Sequence, residues 1–184
     1  YTGGQLVWTD AAASTKVRVP MVVRPVALAA PVQVGGSYSV TFGYNGPFTA
    51  TPRGLVAAAL QAGTVADDPG NGACTLTTPG ATQVQVTVPA GTTYARFALF
   101  DADVNAGADI DLCVFNSTGA QVGGSGSTTS AEEVNLNAPV AGTYTVVVHG
   151  YEVGAGSPFR LHTWLLDAAN AGNMTVTAPA AATT

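Results

Sequence analysis

Five oxygen-bearing side chains crowd one stretch of this chain: Asp101, Asp103, Asn105, Asp109 and Asp111 fall within eleven residues. Calcium takes about six to eight oxygen ligands, so this segment is the first place to look for metal chemistry. The spacing 101, 103, 105 is that of the opening ligands of a helix-flanked calcium loop. Ala106 then stands where such a loop turns on Gly, and Leu112 where it closes with a bidentate Glu. A polar hairpin over 101–107, with Asp109 bonded to backbone, is the plainer reading of the same residues. Asp67-Asp68-Pro69-Gly70 is a second acidic candidate and also an ordinary turn.

Nucleophilic catalysis needs a base within hydrogen-bond reach of a serine, and an acid to orient that base. The histidines are His149, at the end of a strand pattern, and His162, which alternates with Leu161 and Thr163. Both positions read as strand residues, and no catalytic residue is expected. Asp109 and Asp111 point to one face of a strand about 7 Å apart. That separation suits a glycosidase pair, yet no aromatic sugar platform is evident beside them. Cys74 and Cys113 are the two cysteines; one bridge between them closes a loop of about 40 residues and is worth about 3–4 kcal/mol, the alternative being two separate buried thiols. Tyr38, Phe42, Phe97, Phe100, Tyr144, Phe159 and Trp164 alternate along strand patterns and are expected in the core, whereas Tyr44, Phe48 and Tyr151 stand in or beside Gly-rich turns and are the candidate surface contacts.

The elements that position these residues are strands. Val84, Val86 and Val88 alternate with Gln85 and Thr87, Ile110, Leu112 and Val114 with Asp109, Asp111 and Cys113, and Tyr144, Val146 and Val148 with Thr145 and Val147. The same period predicts strands over 5–8, 16–23, 37–44, 94–100, 132–136, 159–166 and 174–177. Residues 56–61 alone have helix-forming composition, and that stretch is too short to stand alone. The Gly-Ser-Thr tract 123–130 reads as a mobile loop. The fold class is therefore all-β: an antiparallel β-sandwich, since no helical crossovers are present to join parallel strands.

Composition closes off other classes. Of 184 residues, 47% are apolar and 9% charged, which is globular rather than disordered. Six Lys and Arg are dispersed against 11 acidic residues, for a net charge of -5, so no basic stripe exists for nucleic acid. No run reaches the roughly 18–20 apolar residues of a membrane span. Tyr1 in place of an initiator Met, with no charged and apolar leader, is expected of a chain that begins within a longer protein. Abundant Thr, Gly, Ala and Val with few Lys and Glu suit a secreted, extracellular protein.

Two segments carry resemblances. Gly4-Gln5-Leu6-Val7-Trp8-Thr9-Asp10 followed by Lys16-Val17-Arg18-Val19-Pro20-Met21-Val22-Val23 resembles the closing strands of the fibronectin-III-like domain that follows the catalytic domain in many subtilisin-like proteases. Val19 replaces the usual Ser, and the turn 11–15 lacks the usual Gly and His. Residues 84–166 are similar to the bacterial pre-peptidase C-terminal domain, a jelly-roll-like sandwich beside secreted peptidase domains. Its marks here are Asp109-Ile110-Asp111-Leu112-Cys113-Val114-Phe115, Glu132-Glu133-Val134-Asn135-Leu136 and Gly142-Thr143-Tyr144-Thr145-Val146-Val147-Val148, with Cys113 where the family has an aromatic residue.

Small-residue connectors at 26–31 and 167–172 and the Ala-Pro-Thr tail set three pieces, which the resemblances name: the end of a fibronectin-III-like domain at 1–27, the jelly-roll-like sandwich at 28–168, and a linker or the start of another module at 169–184. No Gly-Thr-Ser-Met-Ala-like serine turn accompanies them, so the chain is not expected to be an enzyme. The implied function is an accessory module of a bacterial subtilisin-like serine protease, assisting stability, maturation or protein-substrate binding. Its implied partners are the catalytic domain of the same chain and proteinaceous substrate. The competing reading is a structural or adhesive extracellular module unrelated to proteolysis. Calcium is the only cofactor expected.

Overall fold

The structure, a computed structural model, describes residues 2–9, 16–23, 28–30 and 36–183. It divides into two compact units, one of Tyr1–Thr51 with Val176–Thr184 and one of Pro52–Thr175. In the first, β1 (Thr2–Thr9) and β2 (Lys16–Val23) form an antiparallel hairpin in register from Thr2 opposite Val23 to Thr9 opposite Lys16. The turn 11–15 that departs from the fibronectin-III-like pattern lies outside the described residues. β3 (Leu28–Ala29) pairs with β4 (Thr41–Phe42), and β5 (Gly46–Pro47) follows. The strand expected over 37–44 shrinks to those two residues of β4, which end at Gly43.

The second unit is the sandwich. Its strands are β6 (Ala59–Val65), β7 (Thr82–Val88), β8 (Thr92–Ala98), β9 (Asp109–Phe115), β10 (Gln121–Ser125), β11 (Glu133–Asn137), β12 (Gly142–Glu152) and β13 (Ser157–Asp167). They form two four-stranded antiparallel sheets, β10-β9-β12-β7 and β11-β8-β13-β6. Every connection crosses between sheets except the β9–β10 hairpin, which is the jelly-roll-like pattern the sequence implied. A last strand, β14 (Ala181–Ala182), pairs with β5 in the first unit.

Period-two alternation accounts for the core. Val84, Val86 and Val88 of β7 face the same interior as Ile110, Leu112 and Val114 of β9 and Tyr144, Val146 and Val148 of β12; the opposing sheet supplies Phe97, Val134, Phe159 and Leu161. Gly63 lets the Phe159 ring lie against the β6 backbone, where an added Cβ would stand 2.6 Å from its Cζ. Two expectations change here. Residues 59–61 of the stretch 56–61 read as helix-forming open the strand β6, since they gain more from pairing with β13 than from a helix too short to persist. Residues 123–125 of the presumed loop belong to β10, where the missing side chain of Gly123 admits Val134. Residues 174–177 form no strand.

Phe97 is fully buried at the centre of this interior. Phe97→Ala is expected to lower stability by about 3–5 kcal/mol, read as a fall in the urea midpoint at unchanged slope.

Candidate functional site

Each sheet has a second face, and the two are treated differently. Residues 66–81 run as a strap across the outer face of β9 and β12. Gly80 closes the strap with φ of 72°, and its carbonyl accepts the Ala66 N–H at 3.1 Å; a Cβ there would meet the Asp67 carbonyl at 2.7 Å. Asp68 N–H donates to Gly150 O at 2.8 Å, and Asp67 Oδ1 accepts the Val153 and Gly154 N–H groups at 2.8 and 3.1 Å. Cys74 is bonded to Cys113 across a sequence separation of 39, and Leu76 and Ala81 pack with Cys113, Phe115 and Val147. A loop of that length makes the bridge worth about 3–4 kcal/mol.

Beneath the strap lies His149, fully buried. Its Nε2 meets Asp68 Oδ2 at 3.1 Å, while Nδ1 faces Asp111 Oδ2 at 3.5 Å and has no hydrogen-bond partner. Asp68 also accepts the Gly72 and Gly70 N–H groups at 2.9 and 3.0 Å. Those amides, Gly72 first, hold its carboxyl below the ordinary carboxylate value. Burial pushes Asp111 the other way, with Asp109 and Glu132 adding to the rise and His149 opposing it. Asp109 rises too, from burial and then from Glu132 and Glu152, and its Oδ1 is buried without a partner.

The five donors expected to surround calcium are dispersed among different partners. Asp101 Oδ1 accepts the Ser130 N–H at 2.9 Å. Asp103 pairs with His162 at 2.8 Å and Arg160 at 3.6 Å. Asn105 Nδ2 donates to Gly156 O at 3.0 Å. Asp109 and Asp111 alone share a neighbourhood, on β9 under the strap. Among the described residues no three His, Cys, Asp or Glu side chains are placed to hold one ion. The surface-contact candidates are also dispersed: half-buried Tyr44 and Phe48 gather on Phe42 in the first unit, with rings 5.9 and 4.9 Å from it, whereas half-buried Tyr151 meets His149 edge-on at 6.0 Å in the second.

Among the described residues of this unit, no such strap crosses the outer face of the other sheet. Trp164 stacks on His162 at 5.8 Å, and Phe100 meets His162 edge-on at 4.8 Å. The Arg96 guanidinium lies 5.4 Å from the Trp164 ring centre and pairs with Glu133 at 2.5 Å. Arg53 lies 5.0 Å from the Tyr94 ring centre and donates to Asn137 at 2.7 Å, while Tyr94 O–H donates to Asn135 at 2.7 Å. Burial raises the Tyr94 phenol above its ordinary value. Residues 52–175 hold three arginines and no lysine against ten acidic residues, and all three arginines stand on this face. Phe100 and Trp164 were expected in the core and are instead half-buried here. Parity was the available signal: Arg160, His162 and Trp164 alternate with buried Phe159, Leu161 and Thr163.

Among the described residues both histidines bond aspartate and neither holds a serine or cysteine. Residues 75–150 match the family model of the bacterial pre-peptidase C-terminal domain. The chain is 37% identical over 68 residues to Pyrolysin from Pyrococcus furiosus, a match covering 37% of this chain and 5% of that protein. The chain thus spans a small fraction of the curated relative it matches. No helix among the described residues is long and apolar enough to cross a membrane.

The buried array sets a pH test. Asp68 is bound more weakly by protons in the folded state, so its contribution is present above the ordinary carboxylate range and lost as pH falls through its lowered value. Asp111 is raised, so keeping it ionised opposes folding at neutral pH, and that penalty disappears as pH falls through its folded value. Asp68→Asn is expected to lower Tm at pH 7 with a shrinking deficit toward pH 3. Asp111→Asn, whose amide can donate to Nδ1, is expected to add about 0.5–1 kcal/mol at pH 7. That gain diminishes in acid, where protonated Asp111 donates likewise; thermal melts across the range read both.

Proposed function

We propose that this chain is a non-catalytic accessory region of a secreted subtilisin-like serine protease, acting through protein-substrate binding. The observation that carries the reading is the aromatic and arginine face on β8 and β13, standing on a sandwich that matches a pre-peptidase C-terminal domain. In this account β1 and β2 are the closing hairpin of a fibronectin-III-like domain, and the sandwich follows it. The match to Pyrolysin supports the parentage. A structural or adhesive extracellular role is the rival, and the gene sequence upstream of Tyr1 separates the two, because the accessory reading requires a serine-protease catalytic domain there.

Tethering a substrate-binding module to an enzyme raises the local substrate concentration, so its effect belongs on large substrates. Deleting residues 52–175 from the parent protease is expected to raise KM for casein by about three- to tenfold, with KM for a tetrapeptide anilide unchanged. Equal KM values for casein with and without the module would remove substrate binding from the account.

We also propose that calcium, where it binds, is held at Asp109 and Asp111. The support is the unpartnered Asp109 Oδ1; Asp101, Asp103 and Asn105 already have protein partners. Calcium at about one hundred times its dissociation constant adds about 2.7 kcal/mol, a shift of several degrees. Melting in millimolar calcium is expected to exceed melting in EDTA, with Asp109→Asn abolishing the difference and Asp103→Asn leaving it. Identical melting curves would eliminate the ion.

A further inference from the structure

We infer that the edge of β6 is a docking site for an extended polypeptide, which adds as a fifth strand beside Ala59–Val65. The inference deepens the substrate-binding reading above and rests on it for the source of the peptide. In an antiparallel pair, residues alternate between bonding the partner strand and turning both main-chain groups away from it. Two contacts fix that parity in β6. Ala66 N–H reaches Gly80 O at 3.1 Å, and Thr64 O accepts from Thr82 Oγ1 at 2.7 Å, so the even-numbered residues face away from β13. Leu60 and Ala62 continue the series, and their N–H and C=O groups meet no described residue. The strap thus satisfies one end of this edge and leaves the other open.

Open edges are normally blunted by charge, proline or a bulge. β10 has an irregularity between Gln121 and Gly123, and β11 carries Glu133 with Asn135 and Asn137. β6 reads Ala-Leu-Gln-Ala-Gly-Thr-Val, with no charge, no proline and an unbroken register against β13. β7 is likewise an uncharged edge, but its neighbours differ: Gln83 and Gln85 stand there with their amides bonded to Leu76 O and Thr145. Beside β6 stands the aromatic face. Leu60 is 57% exposed and lies directly opposite His162, which stacks on Trp164.

The occupant follows from this chemistry. Donor and acceptor pairs repeating about every 6.8 Å are matched by another extended main chain, and by neither a sugar nor a lipid headgroup. Alternate side chains of the added strand fall on the Leu60, His162 and Trp164 side, which favours apolar or aromatic residues at every second position. The three arginines on that face, in a unit otherwise dominated by acids, favour a neutral or acidic segment over a basic one. The partner is therefore an unfolded protein segment of neutral to acidic character, and not a folded surface.

The test uses the 184-residue chain and a fluorescein-labelled peptide, Asp-Asp followed by four Thr-Val repeats, read by fluorescence anisotropy. Saturable binding is expected. Ala62→Pro removes one outward donor while Gln61 and Gly63 keep their bonds to β13, and it is expected to weaken binding by about tenfold. Leu60→Glu places a charge on the edge that also opposes an acidic segment, without touching the main chain, and serves where the proline variant fails to fold; it too is expected to weaken binding. A peptide N-methylated at alternate residues lacks the facing donors and is expected to bind about tenfold worse than its parent. Three results overturn the inference: no saturable binding, equal binding by Ala62→Pro and by the methylated peptide, or sedimentation showing a wild-type dimer that Ala62→Pro dissociates, which would seat a second copy on the edge. Loss of peptide binding in these variants with casein KM of the parent protease unchanged sinks the substrate reading alone. Casein KM sensitive to the module but not to Ala62→Pro or Leu60→Glu sinks the edge alone.

Discussion

A sheet that turns one face into a core must do something with the other, and in this sandwich the two sheets solve that constraint differently. The outer face of β9 and β12 is covered by residues 66–81, pinned by a disulfide at Cys113, a histidine at Asp68 and main-chain bonds at Gly150 and Ala66. The outer face of β8 and β13 is filled by long side chains that cover it themselves: Arg96 lies on Trp164, Arg53 on Tyr94, and each guanidinium is held by a partner on or beside β11. Stems of arginine shield apolar surface while their heads stay wet. The first solution makes a second small core; the second makes a surface.

The strap explains why a buried histidine and two aspartates persist where valines would pack. Asp68 sits at a tight turn whose amides at Gly70 and Gly72 stabilise its charge, and that charge stabilises the Nε2 proton of His149. Removing either Asp68 or His149 leaves the other buried without that partner, which is more damaging than an apolar replacement of the pair. The array thus specifies where the strap lies rather than adding much net stability, and the disulfide keeps its far end in place. Asp109 and Asp111 share this region because β9 presents both to the same side.

Much of the fold was legible. Where one face of a strand was Val, Ile or Leu and the other polar, as in β7, β9 and β12, the alternation located both the strand and the core. It failed where side chains are small or absent. Ala59, Gly63 and their neighbours in β6 show no alternation, since an edge strand of Ala and Gly buries little, and Gly123 in β10 is invisible to any pattern because its role is to make room for Val134. The site was less legible. Proximity in sequence grouped Asp101 through Asp111, but the chain between Asp103 and Asp109 passes from one sheet to the other, so the five side chains serve different elements. The aromatic face was hidden by the habit of assigning large rings to the core, although the arginine and histidine at matching parity on β13 marked that side as outward.

Charge completes the division between the faces. With ten acids and three arginines, the 52–175 unit repels acidic partners over most of its surface. The arginines interrupt that field at one place, and screening confines the effect to about 8–10 Å at physiological salt. Approach of a neutral or acidic chain is therefore least opposed beside β13, the strand that carries His162 and Trp164 and pairs with the edge strand β6. The side chains there are already held by one another, Arg96 by Glu133 and Trp164, Tyr94 by Asn135 and Arg53, so a docking chain meets groups whose rotamers are restricted before it arrives. Less conformational entropy is lost on contact with such a surface than with free arginines on a loop. An accessory module gains most from this, because its affinity for any one segment stays weak and its effect comes from tethering.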